Sequence, residues 1–211
     1  MFADRADAGR RLAALLAERV GGDAIVLGLP RGGVVVAFEI AQRLHMPLDV
    51  IVVRKLGVPR QPELAMGALG EGGVRVLDDA VIRAANVGAR DIEAVATVEA
   101  EVLAARAGRF RAGRRAPDLR GREVVIVDDG LATGSTARAA CAVARAAGAA
   151  RVVLAVPVAP SGTVRALRSI ADDVVVVATP SPFAAIGQFY DDFTQTPDDE
   201  VVRLLDRAQT G

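Results

Sequence analysis

The sequence predicts an α/β fold built on a mostly parallel, twisted sheet flanked by helices. Three observations carry that expectation. Short, continuous apolar runs alternate with stretches of helical periodicity along 211 residues. The runs are rich in Val, Ile and Leu with few polar interruptions, as strands buried on both faces require. Gly or Asp clusters stand at the carboxyl ends of several runs, where ligands bind in open parallel sheets.

The chain opens with Leu12, Leu15, Leu16 and Val20 at helical spacing behind Asp4 and Asp7, an amphipathic helix with an acidic start. Residues 24–29 form an apolar run closed by Pro30, a buried strand; 34–44 read as helix and 48–53 as the next strand. Strand, helix, strand in that order implies a right-handed crossover and parallel pairing. Residues 54–73 break the rhythm, with Gly57, Pro59, Pro62, Gly67, Gly70, Gly72 and Gly73 in a stretch of weak periodicity. This stretch is expected as a flexible loop with room for short strands at 64–69 and 74–77. Long loops in compact domains are functional or disordered.

A long helix follows at about 91–111, with Val95, Val98, Val102 and Leu103 on one side. Alternation then resumes: strand 123–127, helix 135–147, strand 151–156, helix 163–170, strand 174–178. Beyond Thr179 the pattern dissolves into Pro, Phe and Asp until a last helix at 198–207. No repeat or linker divides the chain, so one domain is expected over 1–211.

Hydrophobic residues make up 52% and charged residues 25%, a globular composition. Acidic and basic side chains balance at 26 each, so no global field points to nucleic acid or a membrane surface. The single cysteine, Cys141, excludes a disulfide framework and suits a reducing compartment. Early charges argue against a signal peptide, and no apolar run approaches the ~20 residues that span a bilayer. A cytoplasmic protein is the expectation. His45, at a helix end, reads as a C-cap, and no His/Cys cluster suggests zinc.

The sharpest signal is VVIVDDGLATGST, residues 124–136. Four apolar residues make a buried strand, and Asp128 and Asp129 stand at its carboxyl end. Gly130, Leu131, Ala132, Thr133 and Gly134 then turn into a helix that begins with Ser135 and Thr136. Such a strand–loop–helix offers free backbone N–H groups and three hydroxyls to one phosphate. The carboxylates, one strand-end away, can accept hydrogen bonds from vicinal hydroxyls. Phosphate on one side and a diol on the other describe a ribose 5-phosphate. No Gly-Lys-Ser/Thr follows, so this is not a Walker loop, nor is it a dinucleotide fingerprint.

This segment resembles the signature of the type I phosphoribosyltransferase family: four hydrophobics, two acidic residues, then a loop ending Thr-Gly-(Gly/Ser)-Thr. The resemblance implies that Asp128 and Asp129 hold the ribose hydroxyls of phosphoribosyl pyrophosphate and 130–136 its 5-phosphate. Pro30, Arg31, Gly32 and Gly33 also look like part of that family's pyrophosphate loop, which often contains a cis non-proline peptide. Read alone, the Gly pair permits positive φ and close approach to an anion, and Arg31 adds a fork of donors. A plain βα turn is the alternative.

Arg54 and Lys55, the only lysine, start a stretch that runs through Arg60 and ends in Gly70-Glu71-Gly72-Gly73. It resembles the family's catalytic loop, which implies catalytic roles for Arg54, Lys55 and Glu71; a solvated basic turn is the alternative. A mobile lid here would exclude water from an oxocarbenium-like centre. The tail 181–193 gathers Phe183, Phe189, Tyr190 and Phe193 and is similar to the hood of purine-type members. By that comparison Phe183 stacks on the acceptor base and Asp191 joins Asp128 and Asp129 near Mg²⁺, although packing also accounts for Phe183.

The implied reaction is transfer of the phosphoribosyl group to a base nitrogen with release of pyrophosphate, dependent on Mg²⁺. The 6-oxopurine members carry Asp where Ala132 stands, and a Lys on the strand matching 151–156, which has none. Both departures count against hypoxanthine, guanine or xanthine. The insert 79–115 is larger than the compact family core requires and has no assigned role, a dimer surface being one it could serve. Expected partners are phosphoribosyl pyrophosphate, a nucleobase-like acceptor and a second copy of the chain. A regulator of the same fold without turnover is the second reading; the basic face or helix-turn-helix of a DNA-binding regulator is not visible.

Overall fold

The computed structural model describes residues 1–210. Five short strands form one parallel sheet: β1 (Ile25–Gly28), β2 (Leu48–Val50), β6 (Glu123–Val127), β7 (Arg151–Val158) and β8 (Asp173–Ala178). Their spatial order is β2-β1-β6-β7-β8, every neighbouring pair parallel. Period-two alternation divides the strand side chains between two cores. Val26, Val125, Val127 and Val153 face α1 (Arg5–Leu16), α2 (Gly32–Leu44) and α7 (Asp198–Thr210). Ile25, Leu27, Val124, Ile126 and Leu154 face α5 (Ser135–Ala146) and α6 (Ser161–Leu167).

Local chemistry sets the helix ends. Asp4 is the N-cap of α1, its carboxylate accepting from the Asp7 N–H at 2.7 Å. His45 closes α2 in the left-handed region at φ 54°, the C-capping role its position suggested. Cys141 is fully buried inside α5, and burial pushes its thiol up to about 12, an inert group at neutral pH. Among the described residues no helix is long and apolar enough to cross a membrane.

The largest departure from expectation is residues 54–73. They do not form a loop. β3 (Val53–Val58) and β4 (Gln61–Gly70) make an antiparallel hairpin, joined by β5 (Arg75–Leu77) into a second, three-stranded sheet. The strand expected over 48–53 is also split. β1 ends at Gly28, whose carbonyl takes the Ile51 N–H at 3.1 Å, and past that bond the chain turns into the second sheet.

Leu56, Met66 and Leu69 of the hairpin are buried in the same core as Leu103, Ala107 and Phe110 of α4 (Ala89–Arg111). Its glycines serve packing. A β-carbon on Gly70 would overlap Val143 of α5, and one on Gly67 would overlap the Val76 carbonyl. Only the tip, 59–65, is exposed throughout. A short helix α3 (Asp79–Ala84), capped by Asp78, precedes α4 and was not expected.

The N-terminus packs against the tail segment 189–191. The Phe2 N–H donates to the Phe189 carbonyl at 2.8 Å and the Asp191 N–H to the Phe2 carbonyl at 2.9 Å. Phe2, Ala8, Val158 and Tyr190 form a third small core there.

Candidate functional site

β1 sends the chain through α2 to β2 on one side, while β6 sends it through α5 to β7 on the other. The crevice between the carboxyl ends of β1 and β6 is therefore the topological switch point, where ligands of open α/β sheets bind. Residues 29–33 and 128–134 face each other across it. The Leu29 N–H donates to the Val127 carbonyl at 2.8 Å. A β-carbon on Gly33 would lie 2.6 Å from that same carbonyl, and one on Gly32 would overlap Asp129 Oδ2. The Gly pair exists so that the acidic loop can pass against the first turn of α2. Neither glycine takes a positive φ, which corrects the sequence expectation. The Pro30–Arg31 peptide is cis.

At the end of β6 the Asp129 N–H donates to Asp128 Oδ1 at 2.9 Å. Burial, with the adjacent Asp129 charge second, holds the Asp128 carboxyl well above the usual carboxylate range. The Leu131 N–H then bonds the Val158 carbonyl at 2.9 Å, and the buried Leu131 side chain pins the loop from below. Gly134 is the N-cap of α5 at φ 74°, a conformation that favours glycine. Thr133, Ser135 and Thr136 are exposed, with Thr133 Oγ1 and Ser135 Oγ 3.1 Å apart. The first-turn N–H groups of a 12-residue helix thus stand beside the paired hydroxyls of Thr133 and Ser135, with Thr136 next in that turn.

Two side chains that no motif singles out complete the acidic end. Arg5 Nε donates to Asp129 Oδ2 at 2.7 Å, Arg5 Nη1 donates to the Thr194 carbonyl at 2.8 Å, and the guanidinium carbon lies 4.0 Å from the centroid of the Phe193 ring. Tyr190 Oη donates to the Asp129 carbonyl at 2.6 Å, its proton held tightly by burial and by the Asp129 charge. Tyr190 is the single tyrosine of the chain, the one hint that composition offered.

A family model for the phosphoribosyl transferase domain matches residues 3–194. The chain belongs to the type I phosphoribosyltransferase family. Two Mycobacterium tuberculosis proteins with provisional names as phosphoribosyl transferases, MT0597 (strain CDC 1551 / Oshkosh) and Rv0571c (strain ATCC 25618 / H37Rv), are each 59% identical over 208 residues. Those matches take in 99% of this chain and 47% of each relative, so the chain spans about half the length of the curated relatives it matches. The Thermus thermophilus protein TT1426 superposes with a TM-score of 0.90 at 46% identity, over 97% of both chains.

Within this phosphoribosyltransferase domain, the other expected site residues are placed unevenly. Arg31 stands beside the crevice, but its guanidinium pairs with Asp198 of α7 at 3.5 Å. Arg54 and Lys55 are consecutive on β3 and so point to opposite faces. Arg54 turns to α4 and pairs with Glu99 at 2.6 Å; Lys55 turns outward to exposed Glu63 at 3.3 Å. They do not act from one side of the hairpin in this conformation.

Glu71 is held elsewhere. It pairs with the buried Arg111, which also takes Asp49 at 3.0 Å and donates to the Val50 carbonyl at 2.8 Å. This is a satisfied structural network under α4, and it lines a cavity of about 290 Å³ apart from the aspartates.

Phe183 packs on Phe189 with ring centroids 5.1 Å apart and is only half-buried, leaving part of its surface open. Asp191 is exposed, and among the described residues no group of three His, Cys, Asp or Glu side chains could hold a metal ion. The expected set of Asp128, Asp129 and Asp191 is not gathered. The tail directs Tyr190 and not Asp191 to the acidic loop, because Phe2 pins the backbone at 189–191.

Proposed function

We propose that the crevice between β1 and β6 binds phosphoribosyl pyrophosphate and transfers its phosphoribosyl group to a nitrogenous base. The observation that supports this most is the pairing of two sites at one switch point: the 130–136 cradle at the start of α5 and the acid pair at the end of β6. In this reading the cradle takes the 5-phosphate through first-turn N–H groups and the hydroxyls of Thr133, Ser135 and Thr136. Asp128 and Asp129 take the ribose diol. Arg5 occupies Oδ2 of Asp129 and leaves Oδ1 for a hydroxyl. Residues Pro30 to Gly33 face the diphosphate.

Asp128 and Asp129 supply two carboxylates, and among the described residues no third His, Cys, Asp or Glu joins them, a donor set that would hold Mg²⁺ only together with substrate oxygens and water. Mg²⁺ in this reading arrives as part of the substrate, bound to the diphosphate oxygens and keeping several waters. The protein positions the two reactants and excludes water while the bond from C1 to the diphosphate oxygen breaks and the bond to the base nitrogen forms. The electron pair leaves on the pyrophosphate, and no side-chain nucleophile is needed. Ala132 is exposed at the loop, where 6-oxopurine members present a carboxylate, so the acceptor is proposed to be another base.

A second reading, binding without turnover, has its own support: Lys55 faces away from Arg54, and Arg5 already engages Asp129. One pair of measurements separates them. Calorimetry with phosphoribosyl pyrophosphate and Mg²⁺ should show affinity lost by 100-fold or so in the Asp128→Asn/Asp129→Asn variant, since hydrogen bonds to charged groups contribute about 1.5–3 kcal/mol each. Unchanged affinity removes the ribose assignment. A nucleobase panel read as pyrophosphate release should then find an acceptor other than hypoxanthine, guanine or xanthine; tight binding with no release from any base favours the regulator.

A further inference from the structure

α4 belongs to the 79–115 insert, and it carries a cation to the crevice that no motif marks. Arg106 Nη2 lies 3.4 Å from the Pro30 carbonyl, the first residue of the loop that faces the diphosphate in the reading above. The guanidinium carbon stands 5.6 Å from the centroid of the Phe110 ring one turn later, and Phe110 is fully buried. The arginine therefore stands on a 23-residue helix anchored in the core, with its head at the mouth of the crevice.

Its surroundings carry both signs. Burial is the largest effect and lowers its proton affinity; Asp198, the strongest nearby charge, acts in the opposite sense, and Arg54 and Arg31 lower it further. Arg54 already has Glu99, and Arg31 shares Asp198 with Arg109, which sits 2.8 Å from that carboxylate. Arg106 itself makes no ion pair among the described residues. Four guanidiniums from the β1–α2 loop, β3 and α4 thus meet Glu99, Asp198 and the exposed Asp199, which is 3.9 Å from Arg109. A half-buried guanidinium with like charges near it and no carboxylate in contact is stabilised further when an anion arrives. Net charge over the whole chain is zero, so the surplus is local and suits a small anion better than a polyanion.

We infer that Arg106 is a binding residue for the diphosphate end of the ligand, joining Arg31 and Arg54 around the Pro30–Gly33 loop. The inference rests on the phosphoribosyl pyrophosphate reading for the ligand's identity, but its core claim concerns a diphosphate anion alone. A planar guanidinium gives two parallel N–H donors to phosphate oxygens, a geometry that lysine lacks. The insert would then contribute to the ligand site itself.

The test uses the whole chain with two probes, inorganic pyrophosphate with Mg²⁺ and ribose 5-phosphate, titrated by calorimetry against wild type, Arg106→Ala and Arg106→Lys. Arg106→Ala should weaken pyrophosphate binding by about 10-fold or more, with Arg106→Lys in between, because a charged hydrogen-bonded contact is lost or made monodentate. Ribose 5-phosphate affinity should change by less than about twofold in both, a control that also reports an intact fold.

Pyrophosphate binding that is equal in wild type and Arg106→Ala, or a wild type that does not bind pyrophosphate, overturns the inference. Equal loss of both probes in both variants also overturns it, as damage to the fold. If pyrophosphate binds through Arg106 while ribose 5-phosphate does not bind wild type at all, the phosphoribosyl reading fails and the anion site stands. If both probes bind and Arg106→Ala is silent, only the Arg106 assignment falls.

Discussion

Two glycine-rich segments of this chain look alike on paper and do opposite things. In the loop after β6, Gly134 takes a positive φ that turns the chain into α5, and the hydroxyls around it stay exposed. In the β3–β4 hairpin, Gly67 and Gly70 are extended residues that let a neighbouring strand and the α5 side chains approach, and the apolar residues between them are buried. The first segment leaves its polar groups exposed and the second is mostly core. Glycine enrichment alone does not separate the two, since the same missing β-carbon serves turning and close packing. What differs is the company: Thr133, Ser135 and Thr136 in one case, Leu56, Met66 and Leu69 in the other.

The strongest way to break this comparison is Met66→Ala. Met66 is fully buried in the main core, so truncation should destabilise the whole domain by about 2–5 kcal/mol. A single thermal transition lowered by at least about 4 °C is the expected outcome for a chain of this size. An unchanged melting temperature would return the hairpin to the status of a detached lid.

Asp128→Asn tests the other side. The folded protein raises this carboxyl's pKa above its ordinary 3.8, so keeping it ionised costs stability. That cost is absent below about pH 4, where folded and unfolded forms are both protonated, and grows as pH rises through the folded value. The variant should therefore melt higher than wild type at alkaline pH, with the gain shrinking as pH falls toward about 4. A pH-independent difference would show that the site does not raise the Asp128 carboxyl. Stability lost to a buried carboxyl beside a second one is the pattern expected of a binding site.

The smallest effect is expected at the hairpin's outer face. Lys55 and Glu63 form an exposed pair, and such pairs contribute little. Lys55→Ala should leave the melting temperature within about 2 °C of wild type. In any base exchange the protein carries out, it should lower turnover less than Arg54→Ala does, because Arg54 faces α4 and the arginine cluster. A larger loss from Lys55→Ala would mean that the hairpin tip rearranges during the reaction and turns this face inward.

Sequence alone determined the parallel sheet and the acid pair with the loop and helix start that follow it, because both are local. Continuous apolar runs such as 124–127 report burial on two faces. A strand, two carboxylates and a helix start within thirteen consecutive residues need no distant partner to be recognised. Element ends were also legible where one side chain or one left-handed residue sets them, as at Asp4 and His45.

Tertiary structure alone decided the rest. Arg5 and Tyr190 reach Asp129 across 124 and 61 residues of sequence, and no spacing rule spans such distances. Glu71 went to Arg111, which also holds Asp49, because α4 covers the hairpin's base, and Asp191 went to solvent because Phe2 fixes the tail. Charged side chains choose among partners by where packed helices and strands bring them, and packing is a property of the whole chain.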